Sequence, residues 1–329
     1  MYIISKRKIA IILMALFSFV IAFEQPFGYS PDYTQYEFFF QQIRAYFVAT
    51  KLTNRFEPGF FYISFWLTQV FNSDLFVYSV FVFFAIFVKF FYGLRDVVGN
   101  YFWMAVAFYF FKFFPLHELT QLRAALGASF MIAAFFYIEK GNRWQGILLC
   151  LIATSFHYSA LMLAPFLFLP RLDRRQILLI TAVIFFVCFI FASYLILLVG
   201  KNVQVFETYG DYTSSLGKLN RFSPAFFPEY FIILFSFYFW EKLTEIMRRV
   251  VAIEMIGYAI FYAFADYGVV AVRGREFFSV IWIFFVAQGT VTGAKARLGI
   301  NIFVVLSIIL GIYLFFSGNF FTDPSKWVE

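Results

Sequence analysis

Three side chains in this sequence are candidates for accepting a proton. Asp32 and Glu57 lie in the polar stretch 24–59, Asp32 before a tyrosine and Glu57 at the start of a Glu-Pro-Gly turn. His157 lies midway along the apolar run 145–169. A carboxylate or an imidazole can act as a general base, and an ionisable group inside an apolar run indicates a functional site. The alternatives are an ordinary polar connector for 24–59 and an interhelical hydrogen bond for His157.

Three arginines are candidates for binding a phosphate group. Arg123 begins a run of small residues that lets another helix come close. Arg273 and Arg275 lie two positions apart, directly before Glu276. A guanidinium offers a planar fork that matches two phosphate oxygens. The alternatives are an arginine that reaches to the membrane interface at position 123 and a surface salt bridge at 273–276.

The composition indicates a polytopic membrane protein. The chain has 329 residues, of which 63% are hydrophobic and 14% are charged, and its mean hydropathy is +0.80. A soluble domain is closer to half apolar and a quarter charged. No segment outside the membrane is long enough for a core of its own, so we expect one integral membrane domain, 1–329. The net charge of +7 does not indicate nucleic-acid binding, because the basic residues of a membrane protein are concentrated in its cytoplasmic loops.

Apolar runs and basic clusters predict an all-α fold of about ten or eleven membrane spans. Three basic residues precede the first run, Ile9–Phe23, and this places the N-terminus in the cytoplasm. The segments 24–57 and 200–227 should then be external loops. The run 33–47 has aromatic residues at helical spacing and predicts a short interfacial helix.

The basic clusters 171–175 and 241–249 should be cytoplasmic, and 265–276 should be an external loop. Two arrangements are open for the first half of the chain. Simple alternation gives eleven spans and places Arg123 inside. If 58–71 or 101–116 is re-entrant, Arg123 lies outside and the run 145–169 has to break at His157. The charge pattern favours the second arrangement.

The absence of several sequence motifs limits the reactions that this chain could catalyse. The sequence has no Walker loop, HExxH, paired CxxC, GxSxG or glycine-rich dinucleotide turn. Their absence argues against ATP hydrolysis, zinc chemistry and a serine nucleophile.

Four motifs, in this order, resemble the EpsG-type polysaccharide polymerases, the Wzy-like enzymes of surface glycan assembly. They are Asp32-Tyr33-x-x-Tyr36, Glu57-Pro58-Gly59-Phe60, Leu122-Arg123-Ala124-Ala125-Leu126 and Phe156-His157-Tyr158-Ser159-Ala160-Leu161. The resemblance covers residues 25–170 well and the second half only in general character. The family usually has an Arg-Gln pair where this chain has Arg123-Ala124.

The resemblance implies a glycosyltransferase with a GT-C-like fold in the bacterial inner membrane. Such an enzyme polymerises undecaprenyl-diphosphate-linked repeat units on the periplasmic face, building O-antigen, capsule or exopolysaccharide. Its partners would be the lipid-linked donor and acceptor, the lipid bilayer and a chain-length regulator, with no nucleic acid, cofactor or metal. The implied roles are a catalytic base at Asp32, Glu57 or His157, diphosphate binding at Arg123, Arg273 and Arg275, and substrate binding at Tyr33, Tyr36 and Arg221.

Two other functions remain open. A flippase or transporter of lipid-linked glycans usually has more spans and internal repeats, and no repeat is visible here. A membrane acyltransferase would use a histidine in a polar loop, whereas His157 lies in an apolar run.

Overall fold

The computed structural model describes residues 6–24, 31–45, 56–95, 97, 100–202, 223, 226–265 and 268–316. Every regular element within these ranges is a helix, which confirms the all-α fold. The α-helices are α1 (Lys6–Glu24), α2 (Pro31–Ala45), α3 (Pro58–Val70), α4 (Asp74–Gly93), α5 (Asn100–Lys112), α6 (Phe114–His117), α7 (Leu122–Glu139), α8 (Arg143–Phe156), α9 (Ala160–Leu163), α10 (Arg174–Asn202), α11 (Phe227–Tyr238), α12 (Glu245–Ala263), α13 (Gly268–Ser279), α14 (Trp282–Ala287) and α15 (Ala294–Phe316). Short 3-10 helices cover Ala164–Phe168, Trp240–Lys242 and Gln288–Thr290.

Three helices in the described part of the chain are long and apolar enough to cross a membrane. They cover Asp74–Gly93, Leu122–Glu139 and Ala294–Tyr313, and α1 and α11 contain shorter apolar segments. These helices confirm that the chain is a membrane protein. The total of ten or eleven spans and the GT-C-like arrangement stay predictions.

The chain divides into two compact units. Unit 1 comprises Met1–Phe102 and Lys112–Leu161, and unit 2 comprises Trp103–Phe111 and Met162–Glu329. The single domain predicted for 1–329 stays a prediction, because a packing unit need not be an independently folding domain.

Helix α7 is the centre of unit 1, with α4 and α8 packed against it. Its small residues Ala124, Ala125 and Gly127 are buried and allow this close approach. The Ser129 hydroxyl of α7 donates a hydrogen bond of 2.9 Å to the backbone oxygen of Ala85 on α4. In unit 2, α12 takes the central place and packs against α10, α13 and α14.

The local sequence explains where the helices that carry the candidate residues begin. Pro58 is the first residue of α3, where its fixed φ fits and no N–H is needed, and Glu57 before it is extended, with φ −62° and ψ 145°. At the start of α10, Asp173 and Gln176 form a reciprocal capping box. The Gln176 backbone N–H donates to Asp173 Oδ1 at 2.8 Å, and the Asp173 N–H donates to Gln176 Oε1 at 2.9 Å. A helix predicted for 33–47 is present as α2, Pro31–Ala45. Its place at the membrane interface stays a prediction.

The prediction that residues 265–276 form a loop is wrong. Residues 268–279 form helix α13, and Arg275 and Glu276 on it are buried. Charged residues in sequence suggested contact with water, but Arg275 pairs with carboxylates of α11 and α12. This pairing compensates the buried charge and allows the segment to pack as a helix.

Candidate functional site

Glu57 is the centre of the candidate site, and it joins two of the other predicted residues. Its side chain makes no cap for α3. One carboxylate oxygen, Oε2, accepts a hydrogen bond from Arg123 Nη1 at 2.6 Å, and the other, Oε1, lies 2.8 Å from His157 Nδ1. The carboxylate is 5% exposed. Arg123 and His157 are 66 and 100 residues away from Glu57 in the sequence, yet both contact its side chain.

His157 lies at the break in the run 145–169. Helix α8 ends at Phe156, and His157 is extended, with φ −157° and ψ 118°. Its backbone N–H closes the helix with a bond of 3.0 Å to the Ala153 oxygen. The break expected at His157 in the second arrangement of the first half is therefore present, and it holds the imidazole at the end of α8.

The protonation of Glu57 determines the tautomer of His157. Burial alone raises the pKa of the Glu57 carboxyl, but the hydrogen bond from His157 and the charge of Arg123 outweigh it and lower the pKa to about 2. Glu57 is therefore ionised at neutral pH, and an ionised carboxylate only accepts hydrogen bonds. His157 then carries a proton on Nδ1, and in the neutral ring Nε2 is the proton acceptor. With so low a pKa, the Glu57 carboxylate is a weak base, and its 2.8 Å contact with Nδ1 orients the His157 ring.

The same pKa shift has a consequence for stability. The folded pKa of Glu57 lies below the ordinary carboxyl value, so its stabilising contribution is complete at neutral pH. That contribution is lost only as the pH falls through the acid range toward 2.

Arg123 is placed to bind an anion. It is the second residue of α7, where the positive end of the helix dipole favours negative charge. Its guanidinium stacks on Phe56 with 4.9 Å to the ring centre, and its side chain remains 26% exposed. Nη1 is bound to Glu57, and buried Nε has no hydrogen-bond partner among the described residues. An incoming phosphate oxygen can supply that partner.

A glycine brings Glu57 and His157 together. A Cβ placed on Gly59 would collide with the side chain of Ser155 and lie 2.8 Å from its backbone oxygen. The first turn of α3 therefore touches the last turn of α8, and only glycine permits this approach.

We expect Gly59→Ala to lower activity by separating these two helix ends. Overpacking of this kind costs about 1–3 kcal/mol, and it acts directly on the 2.8 Å contact between Glu57 and His157. The measurement is polymer length together with protein level in membranes. Ser155→Ala removes the side-chain part of the collision, so the double variant should recover part of the activity. Full activity in Gly59→Ala alone would show that this contact does not position the site.

The tyrosines of α2 lie behind Arg123. Tyr36 is buried against Phe60 and Tyr78, and its hydroxyl oxygen lies 3.5 Å from the Arg123 backbone nitrogen. Burial raises the pKa of the Tyr36 phenol, so the hydroxyl stays protonated. Tyr33 is partly buried and packs edge-on against Tyr78. The geometry favours a supporting place for Tyr36 over direct contact with substrate.

The remaining predicted residues are distributed differently. Asp32 lies in the first turn of α2, one helical turn before Tyr36. Arg273 and Arg275 belong to unit 2. Arg221 lies outside the described residues.

Arg275 is the centre of a second charged cluster, in unit 2. Its guanidinium pairs with Glu229 of α11 and with Glu254 of α12, the latter at 2.8 Å. The Tyr258 hydroxyl donates to Glu229. The Arg275 guanidinium lies over the Tyr258 ring, with 4.1 Å between Cζ and the ring centre. Arg275 is 4% exposed. A diphosphate would have to displace two carboxylates to reach it, so the geometry favours a structural role for Arg275.

A third charged group was not singled out from the sequence. Lys89 of α4 is 1% exposed and donates to Glu118 Oε1 at 2.5 Å, and His117 Nδ1 lies 3.5 Å from the same ammonium. Tyr78 donates to the backbone oxygen of Glu118 at 3.0 Å. The sequence contained the signal, because a lysine within an apolar run is costly without a partner. The Lys89–Glu118 pair holds the segment between α6 and α7 against α4. It therefore helps to position Arg123 at the start of α7.

The geometry defines what the Glu57 site can do. An oriented imidazole can remove a proton from a hydroxyl, and the nearby guanidinium can stabilise a leaving anion. Within the described residues, no group of three His, Cys, Asp or Glu side chains is placed to hold a metal ion.

Comparison with known families gives a match over nearly the whole chain. The model of a family described as the EpsG family matches residues 8–327, nearly the whole chain. Neither a curated protein nor a solved structure matches the chain at a significant level.

Proposed function

Because the chain belongs to the EpsG family, we propose that it is a Wzy-like polymerase of undecaprenyl-diphosphate-linked oligosaccharide units. It acts at the periplasmic face of the bacterial inner membrane and needs no metal. The observation that carries this proposal is the shared carboxylate of Glu57, which binds both a candidate base and a candidate phosphate ligand. A chain-length regulator as a partner stays a prediction.

In the proposed reaction, His157 Nε2 takes the proton from a sugar hydroxyl of the acceptor unit. The hydroxyl oxygen attacks the anomeric carbon of the donor glycan, and the bond from that carbon to the diphosphate oxygen breaks. Undecaprenyl diphosphate leaves as an anion, and Arg123 stabilises its developing charge. Glu57 keeps both side chains in place and stabilises the imidazolium.

The test of this function is deletion of the gene, followed by electrophoresis of the surface polysaccharide. A polymerase mutant should leave a single repeat unit on the acceptor, and plasmid-borne wild-type protein should restore the ladder. Loss of even the single unit would indicate a flippase, and an unchanged ladder would exclude both functions.

We expect the membrane orientation to place α2 outside the cell and the start of α10 inside. Thr34 and Asp173 are both exposed in the structure, so a cysteine at either position should be reactive. In cells with a permeabilised outer membrane, an impermeant thiol reagent should label Thr34→Cys but not Asp173→Cys. Both should be labelled after lysis. A third probe position, Ser214 in the predicted external loop 200–227, lies outside the described residues. Labelling of Asp173→Cys alone in intact cells would reverse the orientation and remove the periplasmic site.

A further inference from the structure

Unit 2 contains a cavity of about 60 Å³ between the start of α10 and the start of α12. One side is cationic and is formed by Arg171, Arg248 and Arg249, with Glu245 beside them. The other side is apolar and includes Ile177 of α10. Glu241 also pairs with Arg248, with 3.6 Å between Nη2 and Oε2. Three arginines against these two glutamates leave one positive charge at the cavity.

The arginines are held by contacts that leave part of this cationic wall available. Arg171 pairs with Glu245 at 2.6 Å, with 78% of the arginine side chain exposed. Arg248 Nε donates to the Trp240 backbone oxygen at 3.1 Å, and Arg249 donates to the backbone oxygen of Leu167. A guanidinium has five N–H groups. Arg171 and Arg248 therefore keep donors beyond these contacts.

The charge and the apolar wall together identify the chemistry of a ligand. A net positive charge with several guanidinium donors matches a phosphate group. A free phosphate gains nothing from the apolar side, whereas a phospholipid does. Further along α10, Leu179, Val183, Phe186 and Ile190 are exposed and recur at spacings of three and four residues, so they share one face of the helix. Acyl chains can lie along this apolar face.

The predicted topology supports the same ligand. Both segments that supply the arginines are predicted to be cytoplasmic, and the cytoplasmic leaflet carries anionic lipids. Basic pockets between membrane helices on that side are suited to anionic head groups.

We propose that this cavity binds the phosphate of an anionic phospholipid, with the acyl chains against α10. The inference goes beyond the proposed polymerase function and does not depend on it. Occupancy would join the segment before α10 to the start of α12.

The experiment uses the full-length protein in nanodiscs of phosphatidylcholine with increasing phosphatidylglycerol. The amount of phosphatidylglycerol retained per protein is measured by native mass spectrometry after release from the disc. A direct hydrogen bond from a guanidinium to the phosphate should contribute about tenfold in affinity. Arg171→Gln should therefore weaken retention about tenfold, and the double variant with Arg248→Gln about 100-fold.

Arg175→Gln is the matched control. Arg175 is exposed and close to the cavity but does not line it, so its loss removes the same charge from the same region. This variant should retain the lipid as the wild type does. Thermal unfolding in pure phosphatidylcholine checks the fold, and Arg171→Gln alone is expected to fold because its side chain is largely exposed.

Three results would overturn the proposal. Equal retention in wild type and Arg171→Gln would show that the cavity is not the site. Equal losses in Arg171→Gln and Arg175→Gln would assign the effect to general surface charge. Complete displacement of phosphatidylglycerol by millimolar inorganic phosphate would assign the site to a free anion.

Discussion

Replacing His157 with asparagine should lower polymer formation by about two to four decades, the usual contribution of a general base. The asparagine amide can take the place of Nδ1–H and keep the hydrogen bond to Glu57 Oε1, which His157 makes at 2.8 Å. What it removes is the proton acceptor at Nε2. The protein should therefore reach the membrane at a normal level but leave mostly single repeat units on the acceptor.

A matched control lies next to it. Tyr158 is 47% exposed, so Tyr158→Phe changes the adjacent side chain without affecting the Glu57 contact. It should keep a normal ladder. In a cell-free assay, wild-type activity should fall in acid as His157 becomes protonated, and the residual activity of His157→Asn should not. Glu57, with a pKa of about 2, contributes nothing to that change between pH 5 and 8.

Long chains in His157→Asn at a normal protein level would exclude His157 as the base. Asp32 on α2 would then be the next candidate. Asp32→Asn keeps the shape of the side chain and removes only its proton acceptor, so it is the direct test of that alternative.

Arg123→Lys should lower polymer formation by about two to three decades, although it keeps the positive charge. The loss of one preorganised donor to a developing anion costs about 3–4 kcal/mol. Lysine can still pair with Glu57, but it offers a compact charge in place of a planar fork. The product should be mainly single repeat units, measured on the same gel as protein level in membranes.

Arg44→Lys is the control for this substitution. Arg44 pairs with Asp74 at 2.7 Å, also within unit 1, and is 28% exposed. Its replacement should leave chain length close to normal. A near-normal ladder in Arg123→Lys would indicate that any long side chain with a positive charge is sufficient at position 123. Arg273 would then be the next candidate for binding the diphosphate.

Most of the helices could be predicted from the sequence, because apolar runs and the polar residues between them determine local structure. The break at His157 followed from the arrangement that the charge pattern favours. The meeting of Glu57, Arg123 and His157 could not be predicted. It depends on the contact of Gly59 with Ser155, where two helix ends approach more closely than a side chain allows. Sequence periodicity contains no information about which helix ends meet.

Charge alone misled the reading of 265–276. Arg275 lies on a helix because Glu229, 46 residues earlier, supplies its partner. The same physics hid the Lys89–Glu118 pair, whose two members are 29 residues apart. In both cases the sequence shows a charge but not the distant carboxylate that pairs with it.

The sharing of Glu57 between Arg123 and His157 has a consequence for the order of events. With no donor bound, Glu57 and Arg123 act in opposite directions on His157, because the carboxylate favours the imidazolium and the nearby guanidinium opposes it. When a diphosphate occupies Arg123, its negative charge offsets that of the guanidinium at His157. The imidazolium is then better stabilised with the donor present than without it. The cycle should therefore run donor first, because His157 becomes the stronger base only when the diphosphate whose departure it assists is already bound.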